Sequence, residues 1–230
     1  MKQRFLHCLA VCMLLAAIST SVHAVTYKIT DLGVLPEGMW SSATDINDSG
    51  MVVGQSYSGS GVQAFLWDGT MHGLGLLSGA TSSYIGGINN SGIVVGTSST
   101  PSGDRAFLWD GETHDLGALI GENNSYAYDV NDSGVVVGMG NNVFLWDGKM
   151  HNLNDFIDPS TPGWTLIEAR GINSSGQIVG LGSIAGGMPH AYLATPYITT
   201  PVPEPSSMVA LLCGLGGLGT MLRRRNPKRI

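Results

Sequence analysis

The sequence predicts an all-β repeat protein of four units, and three observations carry that prediction. A glycine-containing core recurs at a constant interval: INDSGMVVG begins at Ile46, INNSGIVVG at Ile88, VNDSGVVVG at Val130 and INSSGQIVG at Ile172, each 42 residues after the last. FLWDG recurs at Phe65, Phe107 and Phe144, with a degenerate counterpart, AYLAT, at Ala191. Helix signals are nearly absent from residues 25–200, where glycine is frequent and apolar residues do not recur at helical spacing.

The ends differ from this body. Residues 1–24 begin with Lys2 and Arg4, continue through an apolar run over 5–18, and close on Val22-His23-Ala24. A basic start, an apolar middle and small residues at the last and third-last positions predict a secretory signal helix cut after Ala24. The body, residues 25–200, opens with YKITDLG, a strand element of the same kind as GLG at Gly73, DLG at Asp115 and NLN at Asn152.

Each unit then reads as four strands. The Asn-Asp-Ser-Gly centre supplies turn chemistry, with Gly50, Gly92, Gly134 and Gly176 suited to a positive φ. Flanking β-branched residues make that turn a hairpin, FLWDG ends a third strand, and the DLG-type element is the fourth. A unit of 42 residues with four short strands has the size of one propeller blade. The chain opens on a fourth-strand element and its last unit stops after a third strand, so one terminus can complete what the other lacks. The predicted fold is therefore a β-propeller-like ring closed by the N-terminal strand. An open stack, a β-sandwich, or the association of two such halves uses the same strands.

Composition narrows function. Residues 25–203 carry four cations, Lys28, Arg105, Lys149 and Arg170, against sixteen carboxylates. A body this acidic is repelled by phosphate backbones and anionic surfaces, which disfavours nucleic acid as a partner. Cys8 and Cys12 fall in the signal and Cys213 in the terminal apolar stretch, so the body has neither disulfides nor thiol chemistry.

The search for chemistry gives weak candidates. Asp45, Asn47, Asp129 and Asn131 place oxygen side chains at alternate positions before a glycine, as at the start of a calcium loop. The later Glu such a loop needs is replaced by Ser56 and Gly140, and the equivalent loops begin with Gly87 and Gly171, so turn chemistry explains these residues and no metal is expected. His72, His114 and His151 recur just before the fourth strands, and Trp67, Trp109 and Trp146 end the third, where packing accounts for them. Trp40 and Trp164 fall outside the repeat, in glycine- or proline-containing segments, and are the candidates for a binding surface. No nucleophile elbow, zinc-protease motif or phosphate loop occurs, so no catalytic residue and no cofactor is assigned. A propeller-type enzyme acting on polysaccharide, using carboxylates paired in space, is the alternative.

The repeated units resemble the extracellular HAF repeat family over about residues 27–196, with the name-giving triplet worn to Gln63-Ala64-Phe65, Arg105-Ala106-Phe107, Asn142-Val143-Phe144 and His190-Ala191-Tyr192. Residues 201–230 resemble the PEP-CTERM sorting signal: Pro203-Glu204-Pro205, an apolar stretch from about Met208 to Leu222, and Arg223-Arg224-Arg225 followed by Lys228 and Arg229. That resemblance implies a bacterial exosortase substrate, held transiently in the inner membrane by a C-terminal transmembrane helix. It also implies release to the cell surface or extracellular matrix, in an envelope that contains exopolysaccharide. The physics agrees: the apolar stretch is short for a span of about 20 residues, and the arginines would remain cytoplasmic. The expected function is that of an exported, non-enzymatic surface or matrix protein that binds or scaffolds.

Overall fold

A computed structural model describes residues 26–161 and 163–196. The predicted signal with Ala24, and the sorting segment with Pro203, Glu204, Pro205, Arg223, Arg224 and Arg225, lie outside the described residues. Contacts divide the chain into two units, Met1–Gly33 and Val34–Ile230.

In the first unit, residues 26–33 are not assigned to any strand, although the sequence predicts one there. Tyr27 and Ile29 are exposed. Gly33 takes a positive φ, and its N–H donates to Asp31 Oδ1 at 3.0 Å.

The second unit is all-β, with antiparallel sheets formed in chain order. Sheet 1 holds β1 (Ser41–Ile46), β2 (Val52–Ser58), β3 (Gly61–Trp67) and β4 (Met71–Gly73). Sheet 2 holds β5 (Ser82–Ile88), β6 (Val94–Thr100), β7 (Gly103–Trp109) and β8 (Thr113–Gly117). Sheet 3 holds β9 (Tyr126–Val130), β10 (Val136–Met139), β11 (Val143–Trp146) and β12 (Met150–Asn152). Sheet 4 has three strands, β13 (Trp164–Ile172), β14 (Ile178–Ile184) and β15 (Pro189–Ala194). A 3-10 turn, Leu153–Phe156, follows β12; among the described residues no helix is long and apolar enough to cross a membrane.

Consecutive sheets stack face to face, and each junction is one small core. Val53, Ala64, Leu66 and Leu74 of sheet 1 meet Ile85, Ile88, Val94 and Phe107 of sheet 2. Val95, Ala106, Leu108 and Leu116 repeat that arrangement against Ala127, Val130, Val136 and Phe144 of sheet 3. Val137, Val143 and Leu153 repeat it against Leu166, Ala169, Ile178 and Tyr192 of sheet 4. Burial of each phenylalanine contributes about 1.5–3 kcal/mol, so each junction is held mainly by one ring and its aliphatic frame.

Two details explain residues that are not apolar. The first strand of every sheet carries a bulge at the same repeat position, occupied by Thr44, Gly86, Tyr128 and Arg170. The extra residue re-aims the next side chain, which in units 1 and 3 is Asp45 and Asp129. The glycine after each Val-Val pair leaves room for an aromatic ring: a Cβ on Gly96 would collide with the Tyr84 carbonyl and the Phe107 ring. Gly96→Ala should therefore cost about 3 kcal/mol, measured as a shift in the urea midpoint, whereas Gly111→Ala, with open space around it but a positive φ, should cost about 1 kcal/mol.

Candidate functional site

The repeated asparagine-containing turns form a continuous polar ladder across the four units. In each turn the asparagine caps its own loop: Asn89 Oδ1 accepts from the N–H groups of Ser91 (3.0 Å) and Ile93 (2.9 Å). The same pair of bonds recurs at Asn47, Asn131 and Asn173. The carboxamide nitrogen then reaches the next unit. Asn47 Nδ2 donates to the Asn89 carbonyl at 3.1 Å, Asn89 Nδ2 to the Asn131 carbonyl at 2.9 Å, and Asn131 Nδ2 to the Asn173 carbonyl at 3.3 Å.

The carboxylates beside these turns are engaged in the same way. Asp45 bonds its own neighbour, Ile46 N–H, through Oδ1 at 2.8 Å, and Ile88 N–H of the next unit through Oδ2 at 3.1 Å. Asp129 bonds Val130 N–H and Ile172 N–H, both at 2.8 Å. Burial pushes the Asp129 carboxyl above the usual range, against the pull of those two donors. All four calcium candidates, Asp45, Asn47, Asp129 and Asn131, are thus placed on one row of turns, and their oxygens hold backbone N–H groups. Among the described residues no three His, Cys, Asp or Glu side chains gather as a metal site. The turn reading of these residues had the right local chemistry and missed the bond to the following unit.

The histidines are not brought together. His72, His114 and His151 each pair through Nε2 with the aspartate four residues earlier, Asp68, Asp110 and Asp147, at 3.0, 2.8 and 3.0 Å. These hydrogen bonds hold the exposed carboxyls of Asp68 and Asp110 below the usual range. The three pairs tie FLWDG turns to the fourth strands, one in each of sheets 1 to 3.

Two of the three FLWDG tryptophans lie against inter-sheet cores, and Trp67 is half-buried. Trp109 packs on the core between sheets 1 and 2, and Trp146 on that between sheets 2 and 3. The corresponding residue of sheet 4 is Ala194. Where an indole fills the gap elsewhere, a groove of about 720 Å³ opens between sheets 3 and 4. Leu145, Leu153, Phe156, Trp164, Tyr192 and Ala194 line it, with Asp147 and Asp158 among its polar groups. Tyr192 donates its hydroxyl to the Glu168 carbonyl at 2.9 Å, and burial pushes its pKa up to about 12. Phe156 is exposed and meets His151 edge-on, with ring centroids 5.6 Å apart. Trp40 does not line this groove; its carbonyl accepts from Ser56 Oγ and Tyr57 N–H at the start of sheet 1. The degenerate AYLAT stretch, noticed as wear in the repeat, was the available sign of the groove.

No family model matches the sequence, and no curated protein matches it. Among solved structures, the chain is similar to an acylaminoacyl peptidase from Pyrococcus horikoshii, at 17% identity and a TM-score of 0.37, over 69% of this chain and 25% of that one.

Asn89 is buried and serves three backbone groups at once. Asn89→Ala should lower stability to urea by about 2–4 kcal/mol, because two N–H groups and a carbonyl lose their partner together. Asn141→Ala, at an exposed position, should change it by less than about 0.5 kcal/mol.

Proposed function

We propose that this protein is an exported, non-enzymatic component of a bacterial cell surface or extracellular matrix, sorted by an exosortase and associated with exopolysaccharide through the groove between sheets 3 and 4. The observation that carries the binding half is that groove. One unit has lost its inter-sheet tryptophan, and the opening left behind has aromatic and aliphatic walls with carboxylates beside them. Sugar rings offer apolar C–H faces to aromatic side chains and hydroxyls to carboxylates, so the groove suits a glycan chain. The acidity of the body, with four cations against sixteen carboxylates over residues 25–203, favours a neutral polysaccharide over an anionic one.

The non-enzymatic half is supported by where the repeated polar side chains go. The asparagines, the two buried-row aspartates and the histidine–aspartate pairs all serve the backbone or one another. The sorting half rests on the resemblance of residues 201–230, with Pro203-Glu204-Pro205, an apolar stretch and Arg223-Arg224-Arg225, and of the signal ending at Ala24. In this reading the four sheets are blades of a propeller-like ring. The outer strand missing from sheet 4 is an N-terminal stretch, residues 27–33, whose Asp-Leu-Gly repeats the end of β8.

Deleting residues 203–230 should leave the protein exported and folded but no longer retained at the surface, read by fractionating cells and medium. Unchanged surface retention would refute the sorting assignment. In the full-length protein, Trp164→Ala should abolish retention on extracellular polysaccharide purified from the same bacterium, with circular dichroism unchanged; undiminished retention would refute the groove.

A further inference from the structure

Each internal junction pairs a trailing face with a leading face, and the array ends on one unmatched face of each kind. On trailing faces, Val53, Val95 and Val137 are all 0% exposed, whereas their counterpart in sheet 4, Val179, is 47% exposed. Leu66 and Leu108 are buried, and their counterpart Leu193 is 62% exposed. On leading faces, Ile88 and Val130 are buried, and their counterpart in sheet 1, Ile46, is 63% exposed. Ala43 on the same face is exposed and Val52 half-buried, whereas Ala127, Ala169, Val94 and Val136 are buried. Within one chain, sheets 1 and 4 therefore leave uncovered several residues whose counterparts the other sheets bury against one another, although Phe65, the sheet 1 counterpart of Phe107 and Phe144, is buried.

The polar ladder ends in the same places. Asn173 Nδ2, which has no following unit, turns to Gln177 Oε1 at 2.8 Å. All four asparagine carbonyls accept the glycine N–H of their own turn; those of Asn89, Asn131 and Asn173 receive in addition a carboxamide from the preceding unit, and among the described residues that of Asn47 receives none. The row beside the ladder alternates Asp45, Gly87, Asp129, Gly171. A Cβ on Gly87 would lie 3.2 Å from Asp129 Oδ1 and 3.4 Å from Asp45 Oδ2, so the alternation separates carboxylates that would otherwise crowd and repel. After Gly171 the alternation calls for an aspartate, and Asp45 of a sheet 1 is that residue.

We propose that a second copy of this chain docks its sheet 1 on sheet 4 of the first, and the first docks reciprocally on the second, closing a ring of eight sheets. This rests on the ring reading above and names what completes it. The interface is head-to-tail, repeats the chemistry of the three internal junctions, and keeps the Asp–Gly alternation unbroken around the ring. Topology assigns the missing strand as well. β4, β8 and β12 each belong to the sheet before the strand that follows them in sequence. Residues 27–33, which precede β1, then belong to the sheet that precedes sheet 1, which is the partner's sheet 4. Their Asp31-to-Gly33 turn matches that of Asp115 and Gly117, at 3.0 and 2.8 Å with both glycines at φ 83°.

The test uses the full chain with Cys8, Cys12 and Cys213 replaced by serine, so that introduced cysteines are the only thiols. Turn residues one unit apart touch: Asp48 N–H donates to Asn90 Oδ1 at 3.0 Å, and Ser174 Oγ to Asp132 Oδ2 at 3.4 Å. Asp48→Cys with Ser174→Cys should give, on mild oxidation, a covalent species of two chains on a non-reducing gel, and neither single variant should. Native mass should be that of two chains before oxidation. Asp48→Cys with Asn90→Cys, the equivalent internal pair, should bridge within one chain and calibrates the geometry. A bridge within one chain for the Asp48–Ser174 pair would overturn the second copy while leaving a ring. Failure of that pair where the internal pair bridges would overturn the ring as well, and a series of longer oligomers would refute closure by two.

Discussion

The structure depends on one side chain used twice: the turn asparagine, whose oxygen caps its own loop and whose nitrogen bonds the loop one unit further on. Asparagine alone has an acceptor and a donor on so short a stem. Aspartate lacks the donor, serine cannot span both bonds, and glutamine loses more rotamer freedom in reaching either. Because the donated bond must land on the next turn, the turns have to stack, and each unit must bring its hairpin back to the same register. That requirement is a physical reason for an interval of 42 residues held across four units whose other residues have drifted.

The rest of the body follows from that stacking. Stacked turns set consecutive sheets face to face, and each junction then needs one large ring, a small residue where the ring lies on backbone, and aliphatic neighbours. Three junctions of this kind, with Phe107, Phe144 and Tyr192 at their centres, stabilise a body that has no cysteine in residues 25–200. Acidic side chains are tolerated in number because Asp45 and Asp129 meet backbone N–H groups, Asp104 accepts from the Ser99 and Tyr126 hydroxyls, and others pair with histidine or arginine. Where the repeat wears out, at Ala194, the same architecture opens a groove in place of a filled gap. In the proposed reading, binding belongs to this departure from the repeat, whereas stability lies in its regularity.

Much of this was legible in the residues. The hairpins, the third strands and the fourth strands of sheets 1 to 3 follow from turn chemistry and β-branched runs, which are local signals. The reach of the asparagine nitrogen was not legible, because a turn asparagine looks the same whether or not another turn is stacked on it. The bulges at Thr44, Gly86, Tyr128 and Arg170 share no side-chain type and leave no mark in composition. Trp164 was singled out for standing outside the repeat, and it does line the groove. Trp40, chosen on the same ground, does not, because irregular context alone says nothing about neighbours in space. The strand expected over residues 27–33 is absent from the first unit, and a strand exists only where a neighbouring backbone completes its ladder.

The most direct measure of the central claim is hydrogen exchange at the side-chain carboxamides, followed by NMR. If the ladder joins the units, the Nδ2 protons of Asn47, Asn89 and Asn131 exchange with solvent far more slowly than those of Asn141, and the two slow signals that remain, of Asn47 and Asn131, speed up together when Asn89 is replaced by Asp. Exchange of the ladder carboxamides as fast as that of Asn141 would mean that the turns cap themselves without holding one another, and the account of the 42-residue interval would fall.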